Sequence, residues 1–307
     1  MRRGVRVPAK GGGAKRRGVS GSIGVIGLGI MGSAMAANLA KAGFAVHGYD
    51  PVAARRADLK RAGGKPASSV AAAARAADVL ITSLPSAQAL HDVARELTVK
   101  GRVVMETSTL PIEEKKRARA ALAKKGIVLL DCPLSGTGAQ ARAKDLVVYA
   151  SGERKAYALA QPYMQGFSRA HHYLGAFGNG SKMKFVANLM VAIHNVSAAE
   201  AFVLGMKAGL APETIFKVQA DSAGSSRMFQ VRGPMMVAGR YDPATMKNEL
   251  WQKDMKIIGE FAASLGVPTP LFNASAAIYN ATLSQGFEKH DTAAVCAVLE
   301  KMAGVRR

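Results

Sequence analysis

The sequence predicts an α/β fold, in which a doubly wound parallel sheet is followed by a mostly helical C-terminal domain. Short apolar segments alternate with helical segments over the first part of the chain, which is typical of a parallel sheet covered by helices. After about Gly180 the strand pattern stops, and apolar residues recur at helical spacing to the end. We therefore expect a basic tail over 1–21, a sheet domain over 22–181 and a helical domain over 182–307.

The first strand–helix–strand unit carries a glycine signature. The segments "IGVIG" and "FAVHGYD" predict buried strands, and "IMGSAMAANLAKAG" between them has apolar residues at helical spacing. Gly27, Gly29 and Gly32 spell G-x-G-x-x-G at the start of this helix. The first glycine permits a tight turn, the second lets the backbone approach a pyrophosphate, and the third lets helix and strand pack closely. Free N–H groups at the helix N-terminus favour the phosphates, so the unit predicts a Rossmann domain.

The end of the second strand indicates which dinucleotide is bound. Asp50 stands where an acidic side chain accepts hydrogen bonds from ribose hydroxyls, and its charge would repel a phosphate on that ribose. The sequence therefore favours NAD as the cofactor. Arg55 and Arg56 follow closely and leave NADP open, because an arginine can pair with the ribose phosphate.

The alternation continues through the sheet domain. Further strands of the parallel sheet are predicted at "VLITSLP", "RVVMETS", "IVLLDCP" and "LVVYASG", and helices at "SAQALHDVARELT" and "IEEKKRARAALAKKG". The second helix has acidic residues in its first turn and basic residues after them, as the helix dipole favours. Its charged run "EEKKRARAALAKK" predicts a solvent-exposed helix face.

The C-terminal part predicts one long helix and several shorter ones. "SKMKFVANLMVAIHNVSAAEAFVLGMKAGL" is apolar around most of its surface, which indicates a buried helix. Shorter helices are predicted at "APETIFKVQAD", "ELWQKDMKIIGEFAASLG", "PLFNASAAIYNATLSQG" and "DTAAVCAVLEKMAG". A helix that is apolar all round in a small domain suggests that a partner subunit covers part of it. We therefore expect a homodimer or homotetramer. We find no apolar run long enough to cross a bilayer and expect no membrane partner.

Two segments hold candidate site residues. "DCPLSGTGAQARAKDL" is a strand end that continues into a loop, where Ser135, Gly136 and Thr137 offer hydroxyl and backbone N–H groups to a carboxylate. The alternative is an ordinary turn. In "GNGSKMKFVANLM", Lys184 and Asn188 lie four residues apart on one helix face.

Burial of a lysine in an apolar helix lowers its pKa toward the range useful for acid–base catalysis. We expect this of Lys184, whereas Lys182 faces elsewhere. The alternative is a surface lysine whose stem covers apolar residues near a helix end.

Taken together, these motifs resemble the β-hydroxyacid dehydrogenase family, which includes 3-hydroxyisobutyrate dehydrogenase, tartronate semialdehyde reductase and the more distant 6-phosphogluconate dehydrogenases. The likeness runs from about Ser22 to the C-terminal end and includes the stretches "GLGIMGSAMAANL", "SLP", "ETSTLP", "DCPLSGT", "GAFGNGSKMKFVAN" and "KD". For the cofactor, the resemblance implies contacts from the glycine loop and from the "SLP" loop. It also implies contacts from the threonine of "ETSTLP", which would lie by the nicotinamide ribose, and from the lysine of "KD". The corresponding residues are Ile30, Met31, Leu84, Pro85, Thr109 and Lys253.

For the reaction, the resemblance implies hydride transfer between nicotinamide and a small carboxylate-bearing substrate. Ser135, Gly136, Thr137 and Asn188 would contact the substrate, and Lys184 would be the general acid and base. The substrate would be a small 3-hydroxy acid or a semialdehyde acid.

The sequence departs from the family pattern at three positions. Thr137 replaces the second glycine of the substrate loop, Lys144 stands where a glycine is common, and Ala187 replaces the first of two asparagines. These changes affect the expected substrate more than the expected reaction.

Charge and cysteine content bear on partners and location. The net charge is +21, and the first twenty residues contain no acidic residue and no apolar signal region. They predict a disordered basic tail that could bind nucleic acid weakly, and an organelle-targeting role is open but not favoured. Cys132 and Cys296 provide no disulfide framework, which favours a reducing, cytoplasmic location. No metal site is expected.

Other functions on the same fold stay open at this point. One is a catalytically silent, cofactor-bound scaffold or a basic nucleic-acid-binding protein, which would not need Lys184 and Asn188. Another is an imine reductase, a class that typically replaces the lysine. The presence of Lys184 argues against both alternatives.

Overall fold

The computed structural model describes residues 21–307, so the expected basic tail before Gly21 lies outside the described residues. The N-terminal part holds a six-stranded parallel sheet with the strand order β3-β2-β1-β4-β5-β6. The strands are β1 (Ser22–Ile26), β2 (Ala45–Tyr49), β3 (Lys65–Pro66), β4 (Val79–Thr82), β5 (Val103–Glu106) and β6 (Val128–Asp131). The order reverses between β1 and β4, which is where doubly wound sheets bind ligands.

Helices cover both faces of the parallel sheet. They are α1 (Ile30–Lys41), α2 (Ala53–Arg61), α3 (Val70–Arg75), α4 (Ala87–Glu96) and α5 (Ile112–Ala123). On one face, Met35 and Leu39 of α1 are buried against the sheet. On the other face, Leu90 of α4 and Leu122 of α5 are buried in a second core. The prediction of a doubly wound α/β domain is confirmed.

Three short strands form a second sheet. β7 (Leu134–Ser135) pairs antiparallel with β8 (Val147–Ala150), which pairs parallel with β9 (Ala170–Tyr173). The prediction that "LVVYASG" joins the large parallel sheet is therefore wrong. β7 and β8 are close in sequence, so pairing them closes only a small loop, which costs less entropy than a crossover. The helices α6 (Gly138–Arg142) and α7 (Arg154–Phe167) connect these strands.

Lys115 departs from the predicted exposed face of α5. Its side chain is fully buried, and its Nζ lies 2.6 Å from Glu106 Oε2 and 2.9 Å from Asp131 Oδ1. Ile112, Lys115 and Leu122 are all buried and follow one another at helical spacing, so the lysine falls on the inward face of an otherwise charged helix. The prediction that the whole charged run is solvated is wrong at this position.

The C-terminal part is helical, as predicted. It contains α8 (Asn179–Lys207), α9 (Pro212–Gln219), α10 (Arg227–Ala238), α11 (Asn248–Ser264), α12 (Pro270–Ser284), a 3-10 turn (Thr292–Ala294) and α13 (Val295–Ala303). The sequence did not predict α10, whose interior contains Gly233 and Pro234. Both residues are weak helix formers, which conceals the helix.

The long helix α8 is the core of the C-terminal part. Phe202 and Ala199 are fully buried in its apolar cluster, and Asn195 Nδ2 donates hydrogen bonds to Tyr279 Oη and to the carbonyl oxygen of Thr292. Within residues 21–307, α8 is also the one helix long and apolar enough to cross a membrane by length and composition. That finding corrects the expectation that no apolar run is long enough, although a core helix passes the same test.

The start of α8 lies directly against the ends of the strands. A Cβ atom at Gly180 would overlap the carbonyl oxygen of Tyr149 and would lie 2.7 Å from that of Asp131. Gly180 N donates to Ser151 Oγ over 2.9 Å, and Ser181 N donates to Asp131 Oδ2 over 2.7 Å. Glycine therefore allows the helix to approach the sheets closely, and this approach places the next helical turn at the site.

Candidate functional site

The three glycines of the loop after β1 have different surroundings. Gly27 has φ +89°, and a Cβ atom there would overlap the carbonyl oxygen of Ser83. A Cβ atom at Gly32 would overlap the carbonyl oxygen of Gly27. A Cβ atom at Gly29 would meet no atom within 4 Å. Gly27 and Gly32 are thus required by the fold, whereas Gly29 leaves open space at the N-terminus of α1, as a pyrophosphate needs.

Asp50 lies at the edge of this loop, directly after β2. Its carboxylate is buried and accepts hydrogen bonds from Leu28 N at 2.8 Å and from Val52 N at 2.9 Å. Arg55 Nη1 forms an ion pair with Asp50 Oδ2 at 3.2 Å, while the guanidinium of Arg56 donates to the carbonyl oxygen of Asp50. The acid and both arginines named from the sequence therefore meet beside the glycine loop.

The other expected cofactor residues meet at the ends of β4 and β5. Leu84 N donates to Ser108 Oγ over 2.8 Å, which ties the "SLP" loop to the stretch that contains Thr109. Lys253 Nζ, from α11, donates to the carbonyl oxygen of Thr109 over 2.8 Å. Pro85 is exposed beside Leu84. Lys253, in the C-terminal helical part, thus contacts the segment that follows β5 of the parallel sheet.

The expected substrate loop crosses the start of α1. Ser135 ends β7, and Gly136 has φ +131°, a conformation that favours glycine. A Cβ atom at Gly138 would lie 2.5 Å from Ile30 Cγ2, so the loop packs on the exposed first residue of α1. Met31 is half-buried next to it. The substrate loop and the glycine loop are therefore in contact.

Thr137 is the N-cap residue of α6. Its Oγ1 accepts a hydrogen bond from Gln140 N, and its own N–H donates to Gln140 Oε1 over 3.0 Å, which is a capping box. The backbone N–H expected to hold a carboxylate is thus occupied in the described structure. The hydroxyl accepts in this contact, so its proton remains able to bind a ligand.

The backbone conformation at Lys144 shows why a glycine is common at this position in the family. It has φ 60°, the left-handed conformation that glycine adopts without strain. The position therefore demands the backbone geometry of a glycine even though a lysine occupies it here. Its side chain lines a shallow surface groove with Asp145, Arg169 and His171, outside the residues expected to bind substrate.

Lys184 lies on the second turn of α8 and is buried at 9% exposure. Burial lowers the pKa of its ammonium group to about 8, with Lys253 adding to the decrease and Asp254 opposing it. Lys182 is exposed and donates instead to Asn179 Oδ1 over 3.2 Å. The structure thus separates the two lysines as the helical spacing predicts.

Asn188 and Asp254 join Lys184 in the same buried region. Asn188 Nδ2 donates to Asp254 Oδ2 over 3.0 Å, and Lys253 Nζ lies 3.4 Å from Asp254 Oδ1. The family resemblance implies a role for Lys253, whereas Asp254 is not among the residues expected from the sequence. Asp254 shares the buried face of α11 with Trp251, and an acid on an apolar helix face is the signal that could have identified it.

The described residues hold no group of three or more His, Cys, Asp or Glu side chains that could bind a metal ion. The glycine loop after β1 has the form that binds a dinucleotide. The open space at Gly29, the acid at the end of β2 and the buried lysine are together typical of an NAD(P)-dependent oxidoreductase.

Family models agree with this class. A model described as the NAD binding domain of 6-phosphogluconate dehydrogenase matches residues 22–175. A second model, described as NAD-binding of NADP-dependent 3-hydroxyisobutyrate dehydrogenase, matches residues 178–299. The chain belongs to the β-hydroxyacid dehydrogenase family.

Individual relatives extend over nearly the whole chain. An L-threonate dehydrogenase from Cupriavidus necator is 33% identical over 287 residues, which cover 90% of this chain and 95% of that protein. A mitochondrial 3-hydroxyisobutyrate dehydrogenase from Rattus norvegicus is 31% identical, with 89% of this chain and 85% of that protein covered.

A solved structure of Mycobacterium tuberculosis 3-hydroxyisobutyrate dehydrogenase with L-serine is 26% identical and superposes with a TM-score of 0.82. The match covers 92% of this chain and 99% of that one. The chain is accordingly an NAD(P)-dependent dehydrogenase that acts on a hydroxyl group.

The variant Gly29→Ala tests the place where the cofactor approaches. Gly29 has φ −67°, which an alanine adopts freely, and its Cβ would meet open space, so we expect the unfolding midpoint in urea to stay unchanged. The methyl group would occupy the space that a pyrophosphate needs. We expect the Kd for NADH, measured by fluorescence titration, to increase about tenfold or more, which corresponds to ~1.4 kcal/mol.

Gly32→Ala provides the contrast, because its Cβ would overlap the carbonyl oxygen of Gly27 and should lower the unfolding midpoint. Unchanged NADH affinity in Gly29→Ala would contradict this placement of the cofactor.

Proposed function

We propose that this protein transfers hydride between nicotinamide and the hydroxyl-bearing carbon of a small 3-hydroxy acid, or reduces the corresponding semialdehyde acid. Lys184 is the general acid and base in this proposal. The observation that carries it is a buried lysine with a pKa of about 8, on the helix that the fold brings to the end of the nucleotide-binding sheet. A pKa near the working pH is what proton transfer requires.

The reaction needs one proton transfer and one hydride transfer. Nicotinamide, when bound, accepts the hydride in oxidation and supplies it in reduction. In oxidation, the neutral Nζ of Lys184 takes the hydroxyl proton as the carbon loses its hydride, and a carbonyl forms. In reduction, the ammonium form of Lys184 returns a proton to the carbonyl oxygen. Asp254 lies near Lys184 and favours its protonated form, while burial opposes that form, so both states are accessible near neutral pH.

Substrate binding is assigned to the loop after β7 and to Asn188. The hydroxyls of Ser135 and Thr137 and the backbone at Gly136 would hold the carboxylate. Asn188 keeps a second N–H after donating to Asp254, and this group would orient the substrate hydroxyl. Positioning of the substrate between these donors and Lys184 supplies part of the rate enhancement.

The substrate class follows from what the similar proteins share. L-threonate, 3-hydroxyisobutyrate and L-serine, named for the relatives and for the solved structure, all combine a carboxylate with a nearby hydroxyl. The half-buried Ser135–Thr137 loop, with Thr137 in place of a glycine, supports a small substrate of this type.

Lys184→Ala tests the general acid and base. We expect kcat, measured by nicotinamide absorbance on a panel of small hydroxy acids and semialdehyde acids, to fall by about a hundredfold to ten-thousandfold. NADH affinity should not change. Lys182→Ala, two residues away and exposed, is the matched control and should retain full turnover.

The pH profile of the wild type belongs to the same test. Oxidation needs the neutral amine, so kcat/KM should increase as the pH rises through about 8, whereas reduction should weaken over that interval. Turnover of Lys184→Ala within tenfold of the wild type would remove the lysine from this role. If the wild type turned over no member of the panel despite tight NADH binding, the silent scaffold would replace the proposal.

We further propose that NAD is preferred over NADP. The buried carboxylate of Asp50 would repel a phosphate on the ribose, and its ion pair with Arg55 occupies the arginine that such a phosphate could use. The leucine and valine N–H groups that donate to Asp50 hold the carboxylate in place at the loop.

Asp50→Ala tests the cofactor preference. We expect the wild type to have a kcat/KM for NADH about tenfold or more above that for NADPH, a difference of ~1.4 kcal/mol. Asp50→Ala should abolish or reverse this preference for NADH, because it removes the repulsion between the carboxylate and the ribose phosphate and frees Arg55 from its ion pair. The double variant Asp50→Ala/Arg55→Gln is the control and should lose the gain with NADPH. A wild type that is faster with NADPH would overturn the preference.

We also propose that the chain forms a homodimer or homotetramer through α8. Met183, Val186 and Met190 share one face of this helix and remain exposed. We expect sedimentation of the wild type at the mass of two or more chains, and of Val186→Glu/Met190→Glu at a lower mass. A monomeric wild type would contradict this assignment.

A further inference from the structure

Three charged side chains form a fully buried cluster between β5, β6 and α5. Lys115 Nζ lies 2.6 Å from Glu106 Oε2 and 2.9 Å from Asp131 Oδ1, and none of the three side chains is exposed. Burial alone would lower the pKa of Lys115, but Asp131 and Glu106 together raise it above its ordinary value. The lysine therefore stays charged and does not exchange protons with a ligand near neutral pH.

On one side, the cluster is connected by hydrogen bonds to the loops after β4 and β5, where the cofactor is expected (the cofactor loops). Glu106 Oε1 accepts a hydrogen bond from Ser108 N over 2.9 Å, and Ser108 Oγ accepts one from Leu84 N over 2.8 Å. Glu106 thus fixes the turn that precedes Thr109 and, through Ser108, the "SLP" loop. These are the segments where the family resemblance places the nicotinamide ribose.

The other end leads to the start of α8. Asp131 accepts hydrogen bonds from Ser181 N over 2.7 Å and from Ser181 Oγ over 2.8 Å. The N-cap residue of α8 is Gly178, which has no side chain to cap the helix. The carboxylate of Asp131 takes that place from outside the helix and meets the positive end of its dipole.

Lys184 follows Ser181 by three residues, so both lie on nearly the same side of the helix. A helical turn is rigid, and a change at Ser181 would therefore move Lys184. Without Lys115, two buried carboxylates would face each other without a counter-charge, and Asp131 would protonate or turn away from the helix.

We propose that Lys115 is a positioning residue, which holds Asp131 against the start of α8 and thereby sets the place of Lys184 relative to the cofactor loops. Lys115 touches neither substrate nor cofactor in this proposal. The inference rests on the proposed role of Lys184 for its effect on turnover, but its effect on the place of Lys184 is measurable without any reaction.

The test measures the titration of Lys184 directly. The ligand-free protein is treated with acetic anhydride over a range of pH, and modification of Lys184 is quantified by peptide mass spectrometry. Asp254 and Lys253 are the charged groups that act on Lys184 from α11, and both stay in every variant. In the wild type we expect a midpoint near 8.

The main variant is Glu106→Gln/Lys115→Met, which removes one negative and one positive charge and so leaves the net charge unchanged. We expect the Lys184 midpoint to rise by about one pH unit or more, because a loosened helix start exposes the amine to water. Turnover should fall about tenfold to a hundredfold in kcat, while the KM for NADH changes little.

Lys125→Met is the matched control. Lys125 is a partly buried lysine of the sheet domain, whose Nζ donates to the carbonyl oxygens of Ala94, Arg95 and Leu97. Its loss should cost stability and leave the Lys184 midpoint unchanged. Ser181→Ala, which removes only one hydrogen bond to Asp131, should shift the midpoint in the same direction by a smaller amount, even if the main variant fails to fold.

The outcomes separate this inference from the proposed function. An unchanged Lys184 midpoint in the folded main variant, or in Ser181→Ala if the main variant does not fold, would overturn the positioning role. A wild type without turnover whose midpoint still responds to these variants would contradict the proposed function and support the inference.

Discussion

The close contact between the start of α8 and the ends of β6 and β8 is the constraint on which the site depends. Gly180 permits it, because any side chain there would overlap the carbonyl oxygen of Tyr149. Asp131 and Ser151 then provide the acceptors that the first N–H groups of the helix need. A helix that begins at this point carries Lys184 and Asn188. Asp254 of α11 accepts a hydrogen bond from Asn188, and the neighbouring Lys253 donates to the carbonyl oxygen of Thr109 after β5.

Burial of Lys184 is the chemical consequence of this contact. An exposed lysine is almost fully protonated at neutral pH and makes a poor base. Burial lowers the pKa of Lys184 to about 8, and Asp254 limits the decrease. Asp254 also holds Asn188 through a hydrogen bond. Asp254 thus limits the pKa decrease of Lys184 and holds the side chain of Asn188, although it lies on a different helix.

Features of the site that lie within a few residues of one another were accessible from the sequence. The spacing of Gly27, Gly29 and Gly32 is local. A Cβ atom would overlap a backbone oxygen at Gly27 and at Gly32 and would meet open space at Gly29. Lys115 was not accessible in this way. It stands in a run of charges that reads as a solvated helix, and its partners Glu106 and Asp131 come from two separate strands. The pairing of β8 with β7 was missed for a related reason. The apolar pattern of one segment identifies a strand but does not say which other strand it pairs with.

The sequence by itself determined the alternation of strands and helices, the glycine loop between the first strand and the first helix, and the placement of Lys184 and Asn188 on one helix face. Each of these follows from spacing along the chain, which fixes backbone geometry and side-chain direction locally. Tertiary structure alone decided that Asp254 would face Asn188, that Asp131 would cap α8, and that Lys115 would be buried between two carboxylates. Those contacts join residues far apart in the chain, and their energies depend on burial, which only the folded chain provides.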